Sequence, residues 1–598
     1  MRLGWDEYKD ASPRQTIDTI QAILDDLGVQ LTCTHYRAAR GLHSIRANLF
    51  DSIMGVNGKG TSILYAQASA YAELMERMQA QLIYSLYTYH MRPSALHSEG
   101  FFVAPDEVLA TRASFRKMIS PSLRRVVGRH LSAELIDDYF KLERLSGRTK
   151  AVLLPYSNAV TGEVELIPHN LHRILVASNG LAAGNTISEA IVQAISELIE
   201  RFVNISLLAG TRKIMDIPRS IVRRYAPREA STISRLAKAG IDIDVFDASP
   251  FDDIPVVGIL AQHRGTSKYL VKIGVHPKFA IALERCLTEF MQGYDNISER
   301  ISDMISFDAQ RSLHASHLVN TIDVLRNGLG HYPASFFSDR NSFVERPYFK
   351  KCYSSNADMM EASIKAIRNR FGAVLVRDMS FLGFPTVSVY VPSMSELLRG
   401  GMLRQVIRRE LQDQWCATAL KKVCRLQRRE LMRLSRLIRG TRSLAFLLNL
   451  PITNRHPLAN YSANLFCAAI HTALGSYEVA AAAASAFVDE CDNNPDAALW
   501  ARSLKDYLEF RHQGVSSHRA LATCERWYGR SRIDHLHAFA TESAVLRLLS
   551  PMPCWNCAKC PYAAGQCRYP RFERLHMQLK KRYALWHKKQ AHPPQSPR

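Results

Sequence analysis

Long hydrophobic runs are missing from this chain of 598 residues. No stretch approaches the roughly 18 to 20 apolar residues that cross a bilayer, and Leu444 to Ile452 and the alanines near Ala480 are too short, which excludes a membrane-spanning helix. The opening MRLGWDEYKD has no apolar stretch behind a basic start, so no secretory signal is expected and the protein reads as soluble and cytoplasmic. Cysteine is too sparse for a disulfide framework: eight of the 12 are scattered from Cys33 to Cys524 and read as reduced thiols. Acid is scarce as well. Against 77 Lys and Arg stand 55 Asp and Glu, a formal net charge of +22. That imbalance predicts attraction to polyanions, with nucleic acid, acidic phospholipid and nucleotide all open. No composition typical of disorder is present: 47% hydrophobic and 22% charged residues describe globular material, enough for two or three domains.

What the chain does contain is concentrated in Ser178 to Arg201, SNGLAAGNTISEAIVQAISELIER. A helix turning about 100° per residue gathers Glu189, Gln193, Glu197 and Glu200 into one stripe. Ile187, Ile191, Ala194, Ile195, Leu198 and Phe202 fall on the other side. An amphipathic helix explains the division, but a solvated face mixes charge signs, and three glutamates on one stripe repel each other. Oxygen ligands at this spacing suit Mg²⁺, an ion held by one or two carboxylates together with phosphates. The device recurs in Asn57 to Arg77, NGKGTSILYAQASAYAELMER, where Ser69 aligns with Gln193, Glu73 with Glu197, Glu76 with Glu200 and Arg77 with Arg201. Each copy opens on an Asn-Gly stretch, expected to be a glycine turn presenting backbone N–H groups at a helix N-terminus, where anions bind. A later pair, Arg285 and Glu289, lies one helical turn apart and adds a phosphate-binding fork and a further carboxylate.

These three patterns, SxxxExxER from Ser69, ExxxQxxxExxER from Glu189 and RxxxE from Arg285, resemble in order and separation the ATP-site signatures of the YcaO superfamily. Leu166 to Asn170, Gly274 to Pro277 and Val389 to Pro392 extend the resemblance from about Leu42 to Ser395. Ala182 departs from it, standing where the family often has Ser. The resemblance implies an α/β (α+β) fold with an internally repeated core and the nucleotide between its halves, and a mostly helical C-terminal domain of the tetratricopeptide-like kind found in one subgroup. It implies ATP and Mg²⁺ as cofactors, with Glu73, Glu76, Glu197, Glu200 and Glu289 toward the metal and Ser69, Asn185, Gln193, Arg285, Lys59 and Arg201 toward the nucleotide. The implied chemistry is phosphorylation of an amide or lactam oxygen, then attack by a nucleophile on a peptide, protein or small-molecule substrate. Sulfide, from a sulfur-donor partner protein, is the favoured nucleophile. Azoline formation, an accessory role in methylthiolation of a ribosomal protein, and a basic scaffold for RNA or ribosomes are the alternatives. A homodimer is expected. No catalytic base stands out.

Three segments follow: 1–397 as the ATP-binding catalytic domain, 398–550 as the basic helical domain, and 551–598 as a cysteine cluster with a basic tail. Between Arg404 and Arg442, arginines and leucines alternate as in one or two basic amphipathic helices, facing either RNA, an acidic partner or solvent. Cys554, Cys557, Cys560 and Cys567 are spaced C-x2-C-x2-C-x6-C, which suits a structural Zn²⁺ site or an iron-sulfur cluster, with a reduced, sulfur-handling thiol set as the other reading. The tail from Arg568 to Lys589 is basic and aromatic, suited either to nucleic acid or to docking as a terminal helix.

Overall fold

A computed structural model of the chain describes residues 8–39, 41–85, 102–145, 148–308, 317–398, 400–420, 423–438, 444, 452–456, 461–491, 495–540 and 565–591. Helix α1 (Pro13–Asp26) is started by Pro13 in its first turn and by a capping box in which Ser12 and Gln15 bond each other's backbone N–H. It leads into an antiparallel meander of β1 (Leu31–Ala39), β2 (Leu42–Leu49) and β3 (Gly55–Gly60), on which helix α2 (Ile63–Gln79) lies. The Asn57 stretch, expected to be a glycine turn, is instead strand β3: its backbone is paired with β2, and the chain turns into α2 only at Thr61 and Ser62. The glycines are there for close approach. A Cβ on Gly58 would sit 2.1 Å from the Ala66 carbonyl oxygen and 2.3 Å from the Ala70 nitrogen.

Strands β4 (Val108–Ala110), β5 (Ala151–Asn158), β6 (Val164–Pro168) and β7 (Leu181–Ala183) belong to a second sheet. Strands β8 (Ile214–Asp216), β9 (Ile241–Asp247), β10 (Val256–His263), β11 (Lys268–Val275), β12 (Ile305–Ser306) and β13 (Arg340–Asn341) form a third, and β14 (Leu375–Asp378) with β15 (Thr386–Tyr390) returns to the second. Their orders are β4-β5-β14-β15-β7, with β6 beside β5, and β12-β11-β10-β9-β8-β13. Every pairing is antiparallel except the short β8–β13 contact. The protein is therefore of the mixed α/β (α+β) class, with helices segregated to sheet faces. Val164 to Ala177 reads as strand in sequence, but only β6 is: after Pro168 the apolar spacing switches from two to three or four, and His169–Leu175 is a helix burying Leu171, Ile174 and Leu175.

Helix α3 (Ile187–Leu208) runs between the two larger sheets. Its Ile191, Ile195, Leu198 and Ile199 share a core with Val387 and Val389 of β15 and with Val271 and Ile273 of β11. Helix α4 (Phe279–Phe290) covers the other face of the β9–β11 sheet, where Leu283 and Leu287 meet Val257 and Ile259. Helix α5 (Asn356–Phe371) packs against α3. Alternating residues of β10 thus serve two cores, as a strand buried on both faces requires.

From Leu403 the chain is helical: α6 (Leu403–Leu420), α7 (Arg428–Ile438), α8 (Ala463–Ala473), α9 (Tyr477–Glu490), α10 (Pro495–His512) and α11 (Ser517–Tyr528) share a core around Phe466, Leu504 and Leu536. Helix α12 (Tyr569–Ala591) docks on the chain's own first domain, as one of the two readings of the tail expects. It returns to the first core, where Phe572, Leu575, Leu579 and Tyr583 are buried with Ile20 and Leu24 of α1. Arg377 donates to the Tyr583 hydroxyl at 3.2 Å while pairing with Glu107 and Asp106 at 2.9 and 3.1 Å. Among the described residues no helix is long and apolar enough to cross a membrane.

Gly58→Ala forces β3 and α2 apart. Overpacking of this kind costs about 1–3 kcal/mol, so the variant should melt several degrees below the parent and bind nucleotide more weakly, read by calorimetry and nucleotide titration.

Candidate active site

Two side-chain caps fix the registers of the acidic helices. Ser62 accepts the Tyr65 N–H at 3.3 Å at the start of α2, and Thr186 accepts the Glu189 N–H at 3.1 Å at the start of α3. From those starts, helical periodicity brings Ser69, Glu73, Glu76 and Arg77 of α2 to face Gln193, Glu197, Glu200 and Arg201 of α3 across one cleft of about 500 Å³. Arg285 and Glu289 of α4, Lys59 of β3 and Asn185 of the β7–α3 turn complete its lining, so every residue singled out by the three sequence patterns borders the same space. Ala182 does not. It is buried in the α3 core, and Ala183 beside it is the residue that borders the cleft.

The acidic side chains are held apart by basic ones. Arg201 pairs with Glu197 at 2.8 Å, and Arg77 reaches Glu73 and Glu76, each at 3.5 Å. Arg285 donates to Gln193 Oε1 at 2.5 Å and lies 3.8 Å from Glu200, while its buried Nε has no hydrogen-bond partner among the described residues. Lys59 and Lys272 both engage Glu289, the latter at 3.4 Å. Against the desolvation of its carboxyl, these two ammonium groups hold Glu289 far below the usual range. Glu200, Glu76 and Glu73 go the opposite way. Burial pushes Glu200 up to about 7, with the Glu289 charge adding to it. Burial also raises Glu76 well above its ordinary value, with Glu197 and Glu73 opposing the pull of Arg77. Glu73, a third of whose side chain stays open, is raised by burial too. Enclosure in one cleft thus works against the charged form of these carboxyls, and each lies beside a cation.

Several lining residues escape sequence reasoning. Lys9 donates to Glu189 Oε1 at 2.9 Å, the Asp10 N–H donates to Oε2 at 3.0 Å, and Asn185 Nδ2 donates to Oε2 at 3.0 Å. Thr16 donates to Asn185 Oδ1 at 2.7 Å, and Tyr8 reaches Glu284 at 3.4 Å. Glu189, read as part of the metal-facing stripe, is therefore a buried anchor for the N-terminal segment, with a carboxyl lowered by Lys9 and these N–H donors in spite of its burial. Lys272 is the one charged residue inside an apolar strand that also starts on a lysine, KYLVKIGV, and that position is its only local signal.

Among the described residues no three acidic, His or Cys side chains converge on a common point. Any one ion here would take at most two protein carboxylates and complete its shell from phosphate and water, as Mg²⁺ does. The donors fit that ion: all are carboxylates, partly desolvated and facing their own kind. Cys554, Cys557 and Cys560 lie outside the described residues. Cys567 is half-buried beside Ile452, with which it forms a β-bridge.

Because Glu200 is raised in the folded state, the folded ligand-free protein holds a proton that the unfolded chain has already released. Its stability therefore falls as pH rises through about 7. The melting temperature should decline between about pH 5 and pH 7 and level off above, and either Glu200→Gln or Mg²⁺ with a non-hydrolysable ATP analogue should flatten the decline.

Residues 57–395 match the YcaO cyclodehydratase family, which is ATP- and Mg²⁺-binding. The ribosomal protein S12 methylthiotransferase accessory factor YcaO of Escherichia coli (strain K12) is 25% identical over 407 residues, 65% of this chain and 66% of that one. A Haemophilus influenzae protein is 30% identical over 244 residues, 40% of each chain. The chain thus aligns with less than two thirds of either relative's length. Similar solved structures include a heterocyclase in complex with substrate and cofactor, at 17% identity and a TM-score of 0.44, covering 67% of this chain and 56% of that one. Another is YcaO from Methanopyrus kandleri bound with AMPPCP and Mg²⁺, at 15% identity and a TM-score of 0.40, covering 66% and 94%. With the family matched over more than half its length, this chain belongs to the YcaO family.

Proposed function

We propose that this protein uses ATP to phosphorylate the oxygen of an amide or lactam carbonyl and then admits sulfide to the activated carbon. The observation that carries the reading is the meeting of the α2 and α3 carboxylate rows with Arg285 and Glu289 in one cleft. An amide oxygen is a poor leaving group, and phosphorylation makes it a good one. The amide oxygen attacks the γ-phosphorus and ADP leaves. Hydrosulfide then adds to the carbon, and phosphate leaves with the former carbonyl oxygen, so that C=O becomes C=S for one ATP.

In this reading Glu73, Glu76, Glu197, Glu200 and Glu289 hold Mg²⁺, which supplies charge neutralisation for the phosphates. Arg285, Lys59 and Arg201 face the nucleotide's negative charge, and Ser69, Asn185 and Gln193 donate hydrogen bonds to it. Cys286, the cysteine of α4, is not the nucleophile: its thiol is fully buried, raised by desolvation and directed at the Val257 carbonyl oxygen. Sulfur must then arrive from outside or from the substrate. The Cys554 to Cys567 set is proposed either as a structural Zn²⁺ or iron-sulfur site or, alternatively, as a reduced thiol set that relays sulfur.

The family's cyclodehydratase description favours a second reading, in which a Cys or Ser of a peptide substrate attacks the activated carbonyl and water is lost overall. The Escherichia coli relative adds a role assisting methylthiolation of a ribosomal protein. Mass spectrometry separates these outcomes. With ATP, sulfide and a panel of peptides and lactams, the first reading predicts replacement of oxygen by sulfur with matched phosphate release. Loss of one water without sulfide uptake would replace it with the second.

Glu197→Gln keeps the size of the side chain and removes its charge. Turnover of ATP should fall by about two orders of magnitude or more with the melting temperature nearly unchanged, as measured by phosphate release and calorimetry.

A further inference from the structure

Arg429, Arg433 and Arg436 of α7 are spaced i, i+4 and i+7, so they form one stripe. The stripe is directly opposite the buried Leu431, Leu434 and Ile438. All three arginines are exposed, and none forms an ion pair among the described residues. Other surface arginines are engaged in pairs: Arg112 with Asp137, Arg264 with Asp242 and Arg404 with Glu134. The Arg433 guanidinium lies over the half-buried Trp415 ring of α6 at 4.0 Å from its centre. Arg408, two helical turns before Trp415 on the same face, is also exposed and unpaired among the described residues.

We propose that this face of α6 and α7 binds single-stranded nucleic acid. A helix rises about 1.5 Å per residue, so neighbouring residues of the stripe are rooted roughly 4.5 to 6 Å apart along the axis. Each can take one phosphate of a flexible strand through its planar fork. The Trp415–Arg433 stack adds a π surface on which an unpaired base can lie. A duplex keeps its bases in the stack and cannot use that surface. An acidic peptide would meet the charges but leave the ring without a partner. The net charge of +22 supplies long-range attraction, and the stripe supplies the place.

The test is fluorescence anisotropy of the full-length protein with labelled oligo(rU), oligo(dT) and a duplex, across a salt series, with ATP turnover and melting temperature as fold controls. Both single strands should bind in preference to the duplex, and the ratio of the rU and dT affinities reports any preference between RNA and DNA. The triple variant R429E/R433E/R436E should weaken binding at least about tenfold and lower the slope of log affinity against log salt by about 2, three lost contacts at roughly 0.7 each. Trp415→Leu should weaken binding with the slope unchanged. The equal charge reversal K580E/K581E/K588E, on exposed residues of α12, should leave affinity within about twofold. Failure of the wild-type protein to bind, equal loss from the α12 reversal, an ineffective Trp415→Leu, or poly-glutamate binding as tightly as the oligonucleotides would each overturn the proposal. The last of these would assign the face to an acidic protein.

Discussion

Carboxylates crowded into a partly desolvated cleft repel one another, and the rest of this structure is arranged to keep them there. Glu73 and Glu76 on α2 face Glu197 and Glu200 on α3, and their charges are offset but not cancelled by Arg77, Arg201 and Arg285. Burial first, and neighbouring carboxylates second, raise the carboxyls of Glu76 and Glu200. Rigid supports maintain it: α3 is wedged between two sheets, and α2 is pressed onto β3 at positions where nothing larger than glycine fits. An enzyme that must stabilise charge on a polyphosphate gains from such preorganisation, since the ligand-free cleft already has the polarity that a bound cation completes.

Both ends of the described chain help to hold this arrangement. The segment from Tyr8 to Thr16 ties down the start of α3 through Glu189 and Asn185. Helix α12 crosses back to α1, which packs on α2, so the helix that closes the chain buttresses one wall of the cleft from behind. Its docking is anchored by apolar burial and by the enclosed Arg377, Glu107 and Tyr583 group, in which burial raises the Glu107 carboxyl to about 7 against the pull of Arg377. A pair this enclosed adds less net stability than its distances suggest, because both charges surrender hydration, but it fixes the orientation of the helix.

The acidic rows were legible in sequence because helical periodicity is local: seeing that Glu73, Glu76, Glu197 and Glu200 share faces needs no tertiary information. The same holds for the basic helices α6 and α7. What was lost is of two kinds. Gly58 and its neighbours resemble a turn because glycine's commonest use is conformational, whereas here it makes room for α2, a fact set by packing. Lys9 gives no local signal, since its partner Glu189 is 180 residues away. The tail's amphipathic spacing was visible, but a basic face looks the same whether its apolar side meets a partner or the chain's own first core.

Anomalous diffraction from crystals grown with Mn²⁺ and a non-hydrolysable ATP analogue locates the cation. Metal peaks are expected between α2 and α3, within bonding distance of carboxylates from Glu73, Glu76, Glu197 or Glu200 and of the analogue's phosphates. Peaks elsewhere, with the Arg201–Glu197 and Arg77–Glu76 pairs intact and the nucleotide outside the cleft, would contradict that placement.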